Sequence, residues 1–73
     1  MKKEWNDVRE FHEQFGHPVA QEPKMMDKKR ALSRAKWMQE EVAEFLVADD
    51  IYEQADAMID LMYFALGTMV EMG

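Results

Sequence analysis

The chain has no cysteine. That excludes disulfides and thiolate metal sites, and it suits a reducing compartment such as the cytoplasm. Only two prolines and three glycines occur in 73 residues, so few points interrupt regular structure and no glycine-rich phosphate loop is available. Basic residues are in the minority: nine Lys and Arg stand against fifteen Asp and Glu, a formal charge of −6. A diffuse acidic surface repels nucleic acid polymers and anionic membranes, so neither is an expected partner. Long apolar runs are lacking too. Ala57 to Met72 is the richest stretch, but Asp60 interrupts it and it falls short of the roughly 18 residues that suggest a membrane span. The opening Met1-Lys2-Lys3-Glu4-Trp5 has no apolar core of a signal peptide.

What is present is a surplus of apolar residues for so short a chain, 48% in all, eight of them Met. One domain, residues 1–73, is all that this length allows, and a core built from it alone is small. The surplus is better placed between subunits, so a homodimer or homotetramer is expected. Trp5, Val8, Phe11 (or His12) and Phe15 recur at the helical period, and Gly16-His17-Pro18 ends that first helix. Residues 16 to 26 hold both prolines and read as a loop. Asp27 is a good N-cap for a second helix running to about Ala48, with Leu32, Ala35, Met38, Val42, Phe45 and Leu46 as its stripe. Asp50 and Glu53 have the spacing of a capping box opening a third helix at about Ile51. That helix turns Ala55, Met58, Ile59, Met62, Tyr63, Leu66, Met69 and Val70 inward and ends at Gly73. The fold class is all-α: a helical hairpin plus an N-terminal helix, associating into a four-helix arrangement.

The hairpin turn centres near residue 50, so residues equally far from it lie level. Glu44 faces Asp56, and Glu41 faces Asp60. Within each helix the members of a pair are three or four residues apart, about 4.5 and 6 Å along the axis, and project from one face. Four carboxylates so arranged suit a hard cation, Mg²⁺ or Mn²⁺. Asp60 sits in Met58-Ile59-Asp60-Leu61-Met62, where an unpaired charge is costly to bury. The competing reading is a solvated or salt-bridged surface, with Lys36 or Arg34 as the counter-charge. His12 is read as a helix-face residue and His17 as a loop residue. Trp5, Trp37 and Tyr63 are read first as core or interface aromatics, with stacking on a base as the alternative.

Glu40-Glu41-Val42-Ala43-Glu44 followed by Asp56-Ala57-Met58-Ile59-Asp60 resembles the two acidic motifs of the MazG-like all-α nucleoside triphosphate pyrophosphohydrolases, and in particular the phosphoribosyl-ATP pyrophosphohydrolase-like branch. Val8-Arg9-Glu10-Phe11-His12 with Phe15-Gly16-His17-Pro18 resembles that branch's opening helix, and Asp60-Leu61-Met62-Tyr63-Phe64-Ala65-Leu66-Gly67-Thr68 resembles its third. The superfamily's first motif is Glu-Glu-x-x-Glu and its second usually Glu-Glu-x-x-Asp; here the residue three before Asp60 is Ala57, and Asp56 stands one position earlier. The resemblance implies Mg²⁺ ligation by Glu41, Glu44, Asp56 and Asp60, and cleavage between the α and β phosphates of a nucleotide to give a monophosphate and pyrophosphate. Glu40 is then the candidate acceptor of the water's proton, and Arg34 and Lys36 the candidate phosphate contacts. The branch generally continues into a further helix and a basic tail, so a stop at Gly73 raises the expectation of a fragment. Hydrolysis of phosphoribosyl-ATP itself is one substrate choice, and a non-enzymatic metal-binding or regulatory dimerisation module is the alternative to an enzyme.

Overall fold

A computed structural model of the chain describes residues 1–73, and it is all-helical. Helix α1 spans Lys2–Phe15, α2 Lys28–Val47 and α3 Ile51–Met72. Each boundary has a local cause. Gly16 closes α1 in the left-handed region at φ 74°, which glycine enters without strain. The Asp27 carboxylate accepts from the Arg30 amide at 2.9 Å and opens α2. Asp50 does the same for α3, accepting from the Glu53 amide at 2.8 Å. The return arm of that box lands one residue earlier than the spacing suggests, on the Asp49 amide at 2.9 Å.

Because only residues 48–50 separate them, α2 and α3 form an antiparallel hairpin. Helix α1 packs on α3 and not on α2, so α3 lies between the other two. The loop after α1 returns along the far end of α3, where the Ala20 amide donates to the Val70 carbonyl and the Lys24 amide to the Met72 carbonyl. Val8, Leu66 and Val70 form the core there, with Trp5 and Val19 packed against it. No helix is long and apolar enough to cross a membrane.

Burial departs from the expected stripes. Leu66 and Val70 are buried as read, but Ile59, Met62, Tyr63 and Met69 are exposed, and in α2 so are Leu32, Val42, Phe45 and Leu46. The physical reason is coverage. Helix α1 reaches only the C-terminal half of α3, and nothing within the chain lies over the apolar face near the hairpin turn. Buried instead on α3 are Ala57, Gly67 and Glu71. Only nine of the 73 residues are buried, a thin core for a chain standing alone.

Candidate functional site

The seam of the hairpin can be followed rung by rung. On α2, Arg34, Trp37, Glu41 and Glu44 recur at three and four residues and so share one face. The facing residues on α3 run the other way: Glu71, Phe64, Asp60 and Asp56. At the far end Arg34 bonds Glu71. Next, the Trp37 and Phe64 rings lie 5.9 Å apart between centroids. Toward the turn, Glu41 feels the charge of Asp60, and Glu44 and Asp56 line one cavity of about 280 Å³.

The two ends of this seam differ in charge balance. Glu71 is buried, yet the Arg30 guanidinium grips it through Nε at 2.8 Å and Nη2 at 2.9 Å, and Arg34 adds Nε at 2.9 Å and Nη2. Burial alone would push the Glu71 carboxyl up; the hydrogen bonds and charges of Arg30 and Arg34 outweigh it and hold the carboxyl below the usual glutamate range. Trp37 backs the clamp, with both guanidinium carbons 5.2 Å from its ring centroid.

At the turn end no cation appears. All nine Lys and Arg precede residue 37, while nine of the fifteen acids follow it. Glu41 Oε2 is buried and has no hydrogen-bond partner. Burial first, and then the neighbouring carboxyls of Glu44, Asp60 and Glu40, push the Glu41 carboxyl up. With Glu41 and Glu44 both ionised there is no protein donor between them, and a cation would satisfy both. Side-chain positions as they stand bring no three acidic or histidine groups around one point. Glu44, Asp56 and Asp60 are exposed and therefore free to change rotamer. The donor set thus fits a hard cation: carboxylate oxygens only, one of them buried and unsatisfied, with no internal counter-charge.

The other expected site residues fall as follows. Glu40 is exposed beside Glu41, and Lys36 is exposed without an ion pair. Arg34 is buried, and Glu71 takes its Nε and Nη2, which leaves Nη1 as the guanidinium nitrogen open to a ligand. Asp60, expected in an apolar turn, faces solvent, because the hydrophobic neighbours around it are themselves uncovered.

Two structural features go beyond the sequence reading. Arg30 is one of the basic residues Lys28, Lys29, Arg30, Arg34 and Lys36 that the sequence divides between solubility and function, but its partner Glu71 is not marked there, although mirroring about residue 50 puts residue 71 level with 29. His12 is not a plain helix-face residue: it is buried, and its Nδ1 donates to the Pro18 carbonyl at 2.8 Å, fastening the loop to α1. The aromatic period of α1, with histidine at its centre, was the available signal.

A family model described as phosphoribosyl-ATP pyrophosphohydrolase matches residues 8–73. No curated protein and no solved structure matches the chain.

Proposed function

The chain belongs to the phosphoribosyl-ATP pyrophosphohydrolase family, and on that premise we propose that it is a Mg²⁺-dependent hydrolase cleaving a nucleoside triphosphate between its α and β phosphates. The observation that carries the metal is the buried, unpartnered Glu41 Oε2 among carboxylates alone. Glu41, Glu44, Asp56 and Asp60 would hold the ion, and Mn²⁺ would serve the same donors. When bound, such an ion offsets phosphate charge and lowers the pKa of a coordinated water.

The protein's own groups divide the remaining work. Glu40 is exposed next to Glu41 and points about 100° round the helix from it, so it is free to accept the attacking water's proton. Lys36, one turn before Glu40 and unpaired, suits the phosphate chain as a mobile point charge. The carboxylates repel one another, and a bound cation would offset that repulsion and could take phosphate oxygens as further ligands. Phosphoribosyl-ATP is one member of the substrate class.

The proposed enzyme is a homo-oligomer of the cytoplasm. Val42, Phe45, Leu46, Ile59 and Met62 leave an apolar face uncovered on the hairpin, and a second copy would seal it into a four-helix arrangement.

Metal titration and pyrophosphate release test the reading together. Mg²⁺ should raise the melting temperature of the wild type, and Asp60→Asn should abolish that gain. Glu40→Gln should keep metal binding and lose turnover by roughly 10²-fold or more. Glu41→Gln should lose both. A wild type whose melting ignores Mg²⁺ and Mn²⁺, and which releases no pyrophosphate from any nucleotide of a panel, would leave the module reading in its place.

A further inference from the structure

A cavity of about 260 Å³ opens beside the carboxylates along the same seam, walled by the rings of Phe11, Trp37, Tyr63 and Phe64. Its polar lining is His12, His17 and Arg34. Trp37 precedes Glu41 by four residues, and Tyr63 and Phe64 follow Asp60 by three and four. The cavity is therefore about 4.5–6 Å from the acids along either helix axis.

The walls are ordered by aromatic contacts. Phe11 meets Tyr63 edge to face at 6.1 Å and 88°, and it stacks on His17 at 6.1 Å and 26°. Phe11 and Tyr63 form the open side, 38% and 48% exposed, whereas His12 and Arg34 close the inner end at 4% and 5%. At that end two polar atoms are left over. Pro18 occupies His12 Nδ1, so Nε2 is free; Glu71 occupies Arg34 Nε and Nη2, so Nη1 is free. They converge over the bare backbone of Gly67, where a Cβ would stand 2.9 Å from Nη1 and 3.2 Å from Nε2.

We propose that this cavity holds the heterocyclic base of the nucleotide, a reading that rests on the nucleotide substrate proposed above. Flat π-faces on several sides suit a planar ring, and stacking on such faces is tolerant of which base it is. The volume lies just under the usual range for ligand pockets, roughly 300–1,000 Å³, so it admits one ring system rather than a whole nucleotide. An apolar wall with a few polar side chains, here His12, His17 and Arg34, is the composition of a ligand site. The phosphates of a nucleotide seated this way extend toward Glu41 and Asp60.

The experiment needs neither metal nor turnover. In a Trp5→Phe background Trp37 is the single tryptophan, and its emission is followed with parallel calorimetry in the presence of a chelator. The probes are the monophosphates of adenosine, guanosine, cytidine and uridine, with ribose 5-phosphate as the control without a base. At least one monophosphate should bind tenfold or more tighter than ribose 5-phosphate, and Phe11→Ala and Tyr63→Leu should each weaken it about fivefold or more. The proposal is overturned when no monophosphate exceeds the control, or when both variants bind as the wild type does. Both side chains are partly exposed, and circular dichroism confirms that each variant is folded. Failure of every triphosphate to yield pyrophosphate would defeat the hydrolase reading while leaving this binding result standing on its own.

Discussion

Glu71→Gln removes one charge from the best-satisfied ion cluster in the chain and leaves the shape almost unchanged. The Glu71 side chain is 3% exposed and that of Arg34 6%, so the Arg34 guanidinium would stay buried facing an amide with a single oxygen. Breaking a buried pair by removing one partner costs about 3–5 kcal/mol. A chain of this length has on the order of 4–11 kcal/mol in total, at about 0.05–0.15 per residue, so the substitution should remove about a quarter of it or more. At roughly 4–8 °C per kcal/mol, melting should fall by about 12–40 °C. Urea denaturation followed by circular dichroism, at one fixed protein concentration, measures the difference. Acid should imitate the substitution. Because the folded carboxyl titrates below its ordinary 4.5, its contribution is complete above that value and is lost as pH falls toward the folded pKa. The stability gap between wild type and Glu71→Gln should therefore be widest at neutral pH and narrow below about pH 4. Replacing both Arg34 and Glu71 by Met should restore more stability than Glu71→Gln retains, since it removes the buried guanidinium and leaves only Arg30, 31% exposed, without its partner. A Glu71→Gln protein within about 1 kcal/mol of wild type, with no dependence of the gap on pH, would refute the account.

Gly67→Ala gains helix propensity but sets a Cβ 2.9 Å from Arg34 Nη1; with Arg34 tethered to Glu71, the expected net effect is a loss of about 1 kcal/mol, read by the same denaturation assay, and a gain in stability would contradict the close approach. Self-association follows from the uncovered faces of α2 and α3: sedimentation should find dimers or larger species at micromolar concentration, Phe45→Glu should shift them toward monomer, and a well-folded wild-type monomer would contradict it.

The parts of this fold that depend on short-range chemistry were legible in the residues. Asp27, Asp50 and Gly16 act on their own backbone neighbours, and each helix starts or stops where they stand. The level placement of Glu44 with Asp56 needed only the shortness of the turn, since residues 48–50 leave no freedom for the helices to slide. The burial of α3 was less legible. Between Ala55 and Val70 apolar residues occur on nearly every face, so periodicity alone selects no inner side. What selects it is the extent of α1, which covers Leu66 and Val70 and stops short of Ile59 and Met62. Glu71 was hidden for a related reason: a lone acid near a helix end reads as solvated, and only the arrival of Arg30 and Arg34 from 41 and 37 residues away makes it a core group.

The seam also explains why the carboxylates near the turn differ in kind from Glu71. Both sets lie on facing surfaces of the same two helices, and each contains a carboxyl with buried oxygen. Glu71 meets two arginines and is held ionised. Glu41 meets only Glu44, Asp60 and Glu40, and its carboxyl is pushed the other way. Residues 37–73 contain no Lys or Arg, and Arg34 is already engaged two turns away. A purely structural seam would gain stability from one lysine placed near residue 41, or from apolar residues at 41 and 60, either of which removes the repulsion. The retained arrangement forgoes that stability and keeps a demand for positive charge at one end, next to an aromatic cavity and an exposed acid. Unpaired acids of this kind beside a cavity are what the proposed metal site requires.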